Sequence, residues 1–256
     1  MTRDKFTGFR MAVAALALFG LCASASAASI NYGNFGPVPP GFTFTQVTES
    51  SGTDAVPLFG PPTPFSIGLD FNPTNFVANA SGGSSDLTDG QLNFGIATNP
   101  FQAINVVNLF EAGDYSLVGT GTNATQDFAS AIMRITVTQI DGVNVAPINL
   151  APSNASVMFN LAANPGTTQP WSLSLGINVT QALHNLGYTF NTGATGVQVV
   201  IDNQLVATSQ ASSLAFIDKK DFQITVNPVP EPGTCFLFGI GAVTVFLRLR
   251  NRSSLR

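Results

Sequence analysis

One histidine, two cysteines and a scatter of carboxylates are the conventional catalytic and metal-binding side chains of this 256-residue sequence. His184 lies between Leu183 and Leu186 in a short stretch, 179–186, that reads as a helix stopped by Gly187. A Ser–His–Asp triad would have to be built on it, yet no Gly-x-Ser-x-Gly elbow is present. His184 therefore reads as a surface or cap residue. Cys22 and Cys235 fall in apolar runs near the two ends, and the 200 residues between 28 and 227 hold no cysteine. That region has no disulfide framework, no thiol nucleophile and too few nitrogen and sulfur ligands for zinc or iron.

Carboxylates are the remaining chemistry. Asp86-Leu-Thr-Asp89-Gly90 closes a Gly/Ser-rich stretch (79–90) that reads as a flexible loop. Its two hard ligands and backbone carbonyls suit calcium, with Glu49, Asp54 or Asp70 completing the shell if the fold brings them near. Asp before Gly is also ordinary turn chemistry, and Asp-x-x-Asp lacks the alternating spacing of a calcium loop. The turn is the preferred reading, so no cofactor is expected, and Asp86 and Asp89 are the calcium candidates. A glycosidase would need two carboxyls facing each other, about 5 to 9.5 Å apart. None here sits in a recognisable motif, so no catalytic residue is assigned and a non-enzymatic protein is expected. Trp171, Tyr32, Tyr115 and Tyr188 are all the Trp and Tyr present, beside 21 Phe. Trp171 follows Pro170 at a strand start and reads as buried rather than as a sugar platform. A carbohydrate-binding or calcium-dependent adhesive module is the alternative function, and a surface hydrolase the third.

The charge distribution narrows the partners. Only Arg134, Lys219 and Lys220 stand between residues 28 and 227 against twelve Asp and Glu, a balance of 3 − 12 = −9, while the whole chain is −4. Phosphate backbones are bound through Lys and Arg, so nucleic acid is excluded as a partner. A charged share of 9% against 45% hydrophobic also excludes a charge-rich disordered chain or a coiled coil.

The elements that must position these groups read as short strands. Period-two alternation marks 42–47, 92–96, 134–138, 157–161, 171–175, 197–201 and 222–226. Asp141-Gly142 between two apolar runs predicts a two-residue hairpin, and Asp202-Asn203 a second. Asn164-Pro165-Gly166 and Glu111-Ala-Gly-Asp114 read as further breaks, and 60–64 (GPPTP) as a stiff connection. The expected fold is all-β, an antiparallel β-sandwich or jelly roll over residues 28–227.

The two ends read as addresses. A cationic segment, the apolar run 11–22 and small residues with Ala25 and Ala27 at the cleavage site form a secretory signal, residues 1–27. At the other end, Val229-Pro230-Glu231-Pro232 precedes an apolar stretch, 234–247, and the cations Arg248, Arg250 and Arg252. Fourteen residues would span about 21 Å as a helix, short of a hydrocarbon core of about 30 Å. That suits a transient transmembrane stop, with the Arg cluster holding the tail in the cytoplasm. Pro-rich motif, short helix and Arg-rich terminus together, over 228–256, resemble the PEP-CTERM sorting domain of exported proteins in Gram-negative-type bacteria that make exopolysaccharide. The resemblance implies recognition of Pro230, Glu231 and Pro232 by exosortase, a membrane cysteine transpeptidase. It also implies a precursor held in the cytoplasmic membrane and a mature protein at the cell surface or in the extracellular matrix, with exopolysaccharide as a further partner.

Overall fold

The structure is a computed structural model and describes residues 28–39, 41–99 and 101–228. The predicted signal segment with Ala25 and Ala27, the sorting residues 229–232, the apolar stretch 234–247 and the Arg cluster lie outside the described residues. In chain order the elements are β1 (Ala28–Val38), β2 (Phe42–Ser51), β3 (Thr63–Phe65), β4 (Gly68–Phe71), β5 (Val77–Ser81), β6 (Ser85–Ala97) and β7 (Ile104–Gly119). They continue with β8 (Gln126–Ile140), β9 (Val143–Asn149), β10 (Ser153–Asn160), β11 (Gly166–Asn178), α1 (Val179–Asn185), β12 (Ala194–Thr208) and β13 (Ser213–Pro228).

The strands form two antiparallel sheets in a β-sandwich, as the alternation predicts. One has seven strands in the order β1-β2-β6-β12-β8-β10, with β9 also on β8; the other has six, β11-β7-β13-β4-β3, with β5 also on β13. Each strand turns one side to the interior because successive side chains point to opposite faces. The result is one apolar cluster containing Phe42, Phe44, Phe59, Phe71, Phe76, Phe94 and Phe222, all at most 1% exposed. Phe59 packs edge-on against Phe71, Phe76 and Phe222, with ring centroids 6.3, 5.0 and 4.9 Å apart. Edge-to-face pairs contribute about 0.5–1.5 kcal/mol each beyond the area they bury.

Local chemistry explains the connections. Asp141 and Gly142 make the β8–β9 hairpin with φ of 51° and 77°, the positive pair that a type I′ turn requires. Helix α1 starts at Asn178, whose side chain accepts from the Gln181 amide, and Gly187 follows its end with φ 86°. Three expected breaks are absent. Asp202-Asn203 is the interior of β12, and Glu111–Asp114 the interior of β7. The supposed flexible loop 79–90 is mostly strand, since β5 and β6 leave only Gly82, Gly83 and Ser84 between them. Residues with turn chemistry occur in these strands because their side chains find partners on other strands, which spacing alone does not reveal. Glu111 and Asp114 find theirs on β13, Asp202 on β8, Asp86 at the Asn79 amide and Asn203 on the facing sheet.

Candidate functional site

Three central strands carry polar side chains into the apolar interior. Along β12, Val199, Ile201, Leu205 and Ala207 are buried at alternate positions, and Asn203 fills the place between Ile201 and Leu205. Along β7, Glu111 fills the inward place after Leu109. On β13, Lys219 continues the inward series of Ala215 and Ile217; a register shift between Lys219 and Asp221 then makes Lys220 an extra residue and returns Phe222 to the core. Asn203, Glu111 and Lys219 are 0%, 1% and 2% exposed, which excludes bulk water.

These side chains meet. Lys219 Nζ donates to Asn203 Oδ1 and pairs with Glu111 Oε2. The rings of Phe76, Phe222 and Phe59 surround the nitrogen, with centroids 4.3, 5.2 and 5.5 Å away, favourable to a cation and closed to solvent. Small residues make the room. Gly90 on β6 and Ala131 on β8 flank Asn203 in the two ladders of β12. A Cβ on Gly90 would lie 2.6 Å from the Phe76 ring and 3.0 Å from the Phe59 ring. Gly113 stands opposite Lys219, where a Cβ would lie 1.9 Å from the Asp218 carbonyl oxygen.

The electrostatics push both charges toward neutrality. Burial raises the Glu111 carboxyl above its ordinary value, opposed by the attraction of Lys219. Burial likewise lowers the Lys219 amine, opposed by Glu111. Desolvation dominates in both because an ion in an apolar interior loses several kcal/mol of hydration. Glu111 Oε1 and Asn203 Nδ2 are buried without a hydrogen-bond partner. The arrangement therefore presents an amine, a carboxamide and a carboxyl together in a dry niche.

Two further buried carboxylates behave differently. Glu49, 0% exposed, accepts from the Tyr32 hydroxyl at 2.6 Å, the Gly60 amide at 3.2 Å and the Leu58 amide. Burial, then the Glu49 bond, pushes the Tyr32 phenol above its usual range. Glu49 thereby fixes the segment that carries Phe59 to Lys219. Asp127 on β8, also 0% exposed, has no hydrogen-bond partner on either oxygen. Burial raises its carboxyl to about 7.

The residues singled out in the sequence are dispersed. Asp86 and Asp89 are three apart on β6, so they point to opposite faces and do not converge. Asp86 Oδ2 accepts from the Asn79 amide at 2.8 Å, and Asp54 Oδ2 from Thr53 Oγ1 at 2.6 Å. Glu49 is engaged in the loop bonds just described. Asp70 on β4 lies near Asp221, whose carboxyl is raised by burial and then by the charge of Asp70. Among the described residues, no group of three or more His, Cys, Asp and Glu gathers to hold a metal. Trp171 is 4% exposed and its Nε1–H donates to the Asp218 carbonyl at 2.9 Å, while Tyr115 stacks on Phe159 at 3.9 Å. Of the two, neither is a surface platform. His184 is exposed on α1 and stacks on Phe190 at 4.6 Å. Asp141 Oδ1 and Oδ2 accept from the amides of Asn191, Thr192 and Gly193 at 2.8, 2.7 and 2.9 Å. Burial works against ionisation there, yet these three amides hold its carboxyl below the ordinary range.

Among the described residues no helix is long and apolar enough to cross a membrane. No curated protein matches the chain. It is similar to a family 61 carbohydrate-binding module in complex with β-1,4-galactotriose, at 8% identity, covering 80% of this chain and 90% of that one with a TM-score of 0.22. It is also similar to a family 30 carbohydrate-binding module, at 10% identity, 78% and 99% coverage and a TM-score of 0.20. A third likeness is to a family 12 xyloglucanase from Bacillus licheniformis, at 10% identity, 79% and 100% coverage and a TM-score of 0.24. At these scores the three likenesses carry no argument. Residues 228–252, which begin at the last residue of β13, match the PEP-CTERM protein-sorting motif, and the chain carries that motif.

Proposed function

We propose that this is a non-enzymatic exported protein whose β-sandwich is displayed at the cell surface or in the exopolysaccharide matrix after processing by exosortase. Carrying the reading is the sorting motif at 228–252, placed where the last strand of the sandwich ends. Processing there would release the folded region, since the described strands lie within residues 28–228. Electrostatics support an extracellular setting without nucleic acid. Each cation among the described residues is matched by a carboxylate: Arg134 by Asp202, Lys219 by Glu111, and Lys220 by Asp114 and Asp218. The surplus carboxylates leave a negative surface, which repels polyanions.

Mass spectrometry of the mature protein from cells with and without the sorting enzyme tests this. The expected result is loss of residues 236–256 only where the enzyme is present. Retention of that segment in both strains overturns it.

A further inference from the structure

We propose that Lys219 and Asn203 condense into an intramolecular isopeptide bond, with Glu111 as the catalytic acid–base, covalently joining the two sheets of the sandwich. The proposal stands on the buried cluster and is independent of the sorting reading. Lys219 Nζ donates to the carbonyl oxygen of the Asn203 carboxamide, which holds the nitrogen next to the carbon it would attack, Asn203 Cγ. Glu111 touches the same nitrogen. Holding reactants in such contact converts a bimolecular step into a unimolecular one, with effective molarities of about 10⁵–10⁸ M in well-oriented cases.

The step balances without a co-reactant. Proton transfer within the Lys219–Glu111 pair gives a neutral amine and a neutral carboxylic acid, the direction in which burial drives both groups. Lys219 Nζ attacks Asn203 Cγ and a C–N bond forms. Glu111 takes the proton released from Nζ and delivers a proton to Nδ2. The Cγ–Nδ2 bond breaks and ammonia leaves; Glu111 ends as it began. The product is a secondary amide, with no change of oxidation state. The Phe59, Phe76 and Phe222 rings exclude the water that would protonate the amine or hydrolyse the tetrahedral intermediate. The reaction also removes a buried donor without an acceptor, because the orphaned Nδ2 is the leaving group. A permanent ion pair would keep two costly charges and two orphaned atoms in the core; the amide keeps neither charge.

The sequence supplies a clean assay. Cleavage before aspartates separates residues 202–217, which contain Asn203, from residues 218–220, which contain Lys219. From the purified full-length or exported protein, the expected product is a branched peptide joining the two, lighter than their sum by one ammonia. Two unbranched peptides at their sequence masses overturn the proposal. In Glu111→Gln, which keeps shape and leaves both reactants, loss of the branched species is expected together with a lower melting temperature. A Glu111→Gln protein that remains branched overturns the catalytic role of Glu111. If that variant does not accumulate, the wild-type digest still decides whether the bond exists.

Discussion

Glu111 and Asp127 are two carboxyls at equal depth in one sandwich, and only one has company. Both are at most 1% exposed, and burial pushes both upward. Glu111 faces an amine, a carboxamide and three aromatic rings, and its desolvation is partly offset by Lys219. Asp127 has neither cation nor hydrogen-bond partner and reaches about 7, close to neutral pH. Tyr115 beside it is raised as well, by burial and then by the Asp127 charge. Equal burial thus accompanies a partnered cluster in one place and an isolated weak acid in the other, the difference being what the neighbouring strands supply.

Removing the partner should have the largest effect. Lys219→Met keeps the aliphatic stem but strands Glu111, and loss of about 3–5 kcal/mol in chemical denaturation is expected. A loss under about 1 kcal/mol would make the two acids equivalent and end the contrast. Next comes the isolated acid. Its folded value of about 7 exceeds the ordinary 3.8 of the unfolded chain, so the native state holds the extra proton between them. Stability therefore falls as pH rises from about 4 to about 7 and levels off above. Asp127→Asn should remove that slope and gain on the order of 3 kcal/mol at pH 8 relative to its effect at pH 4. Equal pH slopes in variant and wild type would show that Asp127 is ionised without penalty. The smallest effect tests the walls of the cluster. Gly90→Ala drives a methyl against Phe76 and Phe59 and should cost about 1–3 kcal/mol in thermal unfolding. A neutral result would mean that the rings yield and that the niche is not tightly built.

The sandwich was legible because period-two alternation survives in nearly every strand, and Asp141-Gly142 and Asn178–Gly187 follow local turn and capping rules that need no tertiary partner. The cluster was not. Asn203 and Glu111 each look like part of a break because Asp-Asn and Glu-Ala-Gly-Asp are turn-forming runs. Each nonetheless stands in register with apolar residues two positions either side or before it, such as Ile201 and Leu205. That register was the available signal: a polar residue at an inward position of a long alternating run implies a partner in the interior, which Glu111 finds on the adjacent strand and Asn203 on the facing sheet. Which partner could not be read, because Lys219 meets Glu111 from 108 positions away, 219 − 111. Asp86 and Asp89 failed as a pair for the converse reason, since a strand sends residues three apart to opposite sides. Gly90 was read as turn glycine, whereas its missing side chain makes room for Phe76.

β13 ends at Pro228, where the sorting motif starts, and it is zipped to β7 along one side as far as Ile104 while β4 and β5 hold the other. A pull on the C-terminus would enter the fold along the axis of this doubly flanked strand. Its ladder bonds would then be loaded together, in shear, instead of opening one after another. Tension reaching Lys219 would meet the facing sheet through Asn203, so a chain tethered by its end would resist extraction with most of its architecture at once.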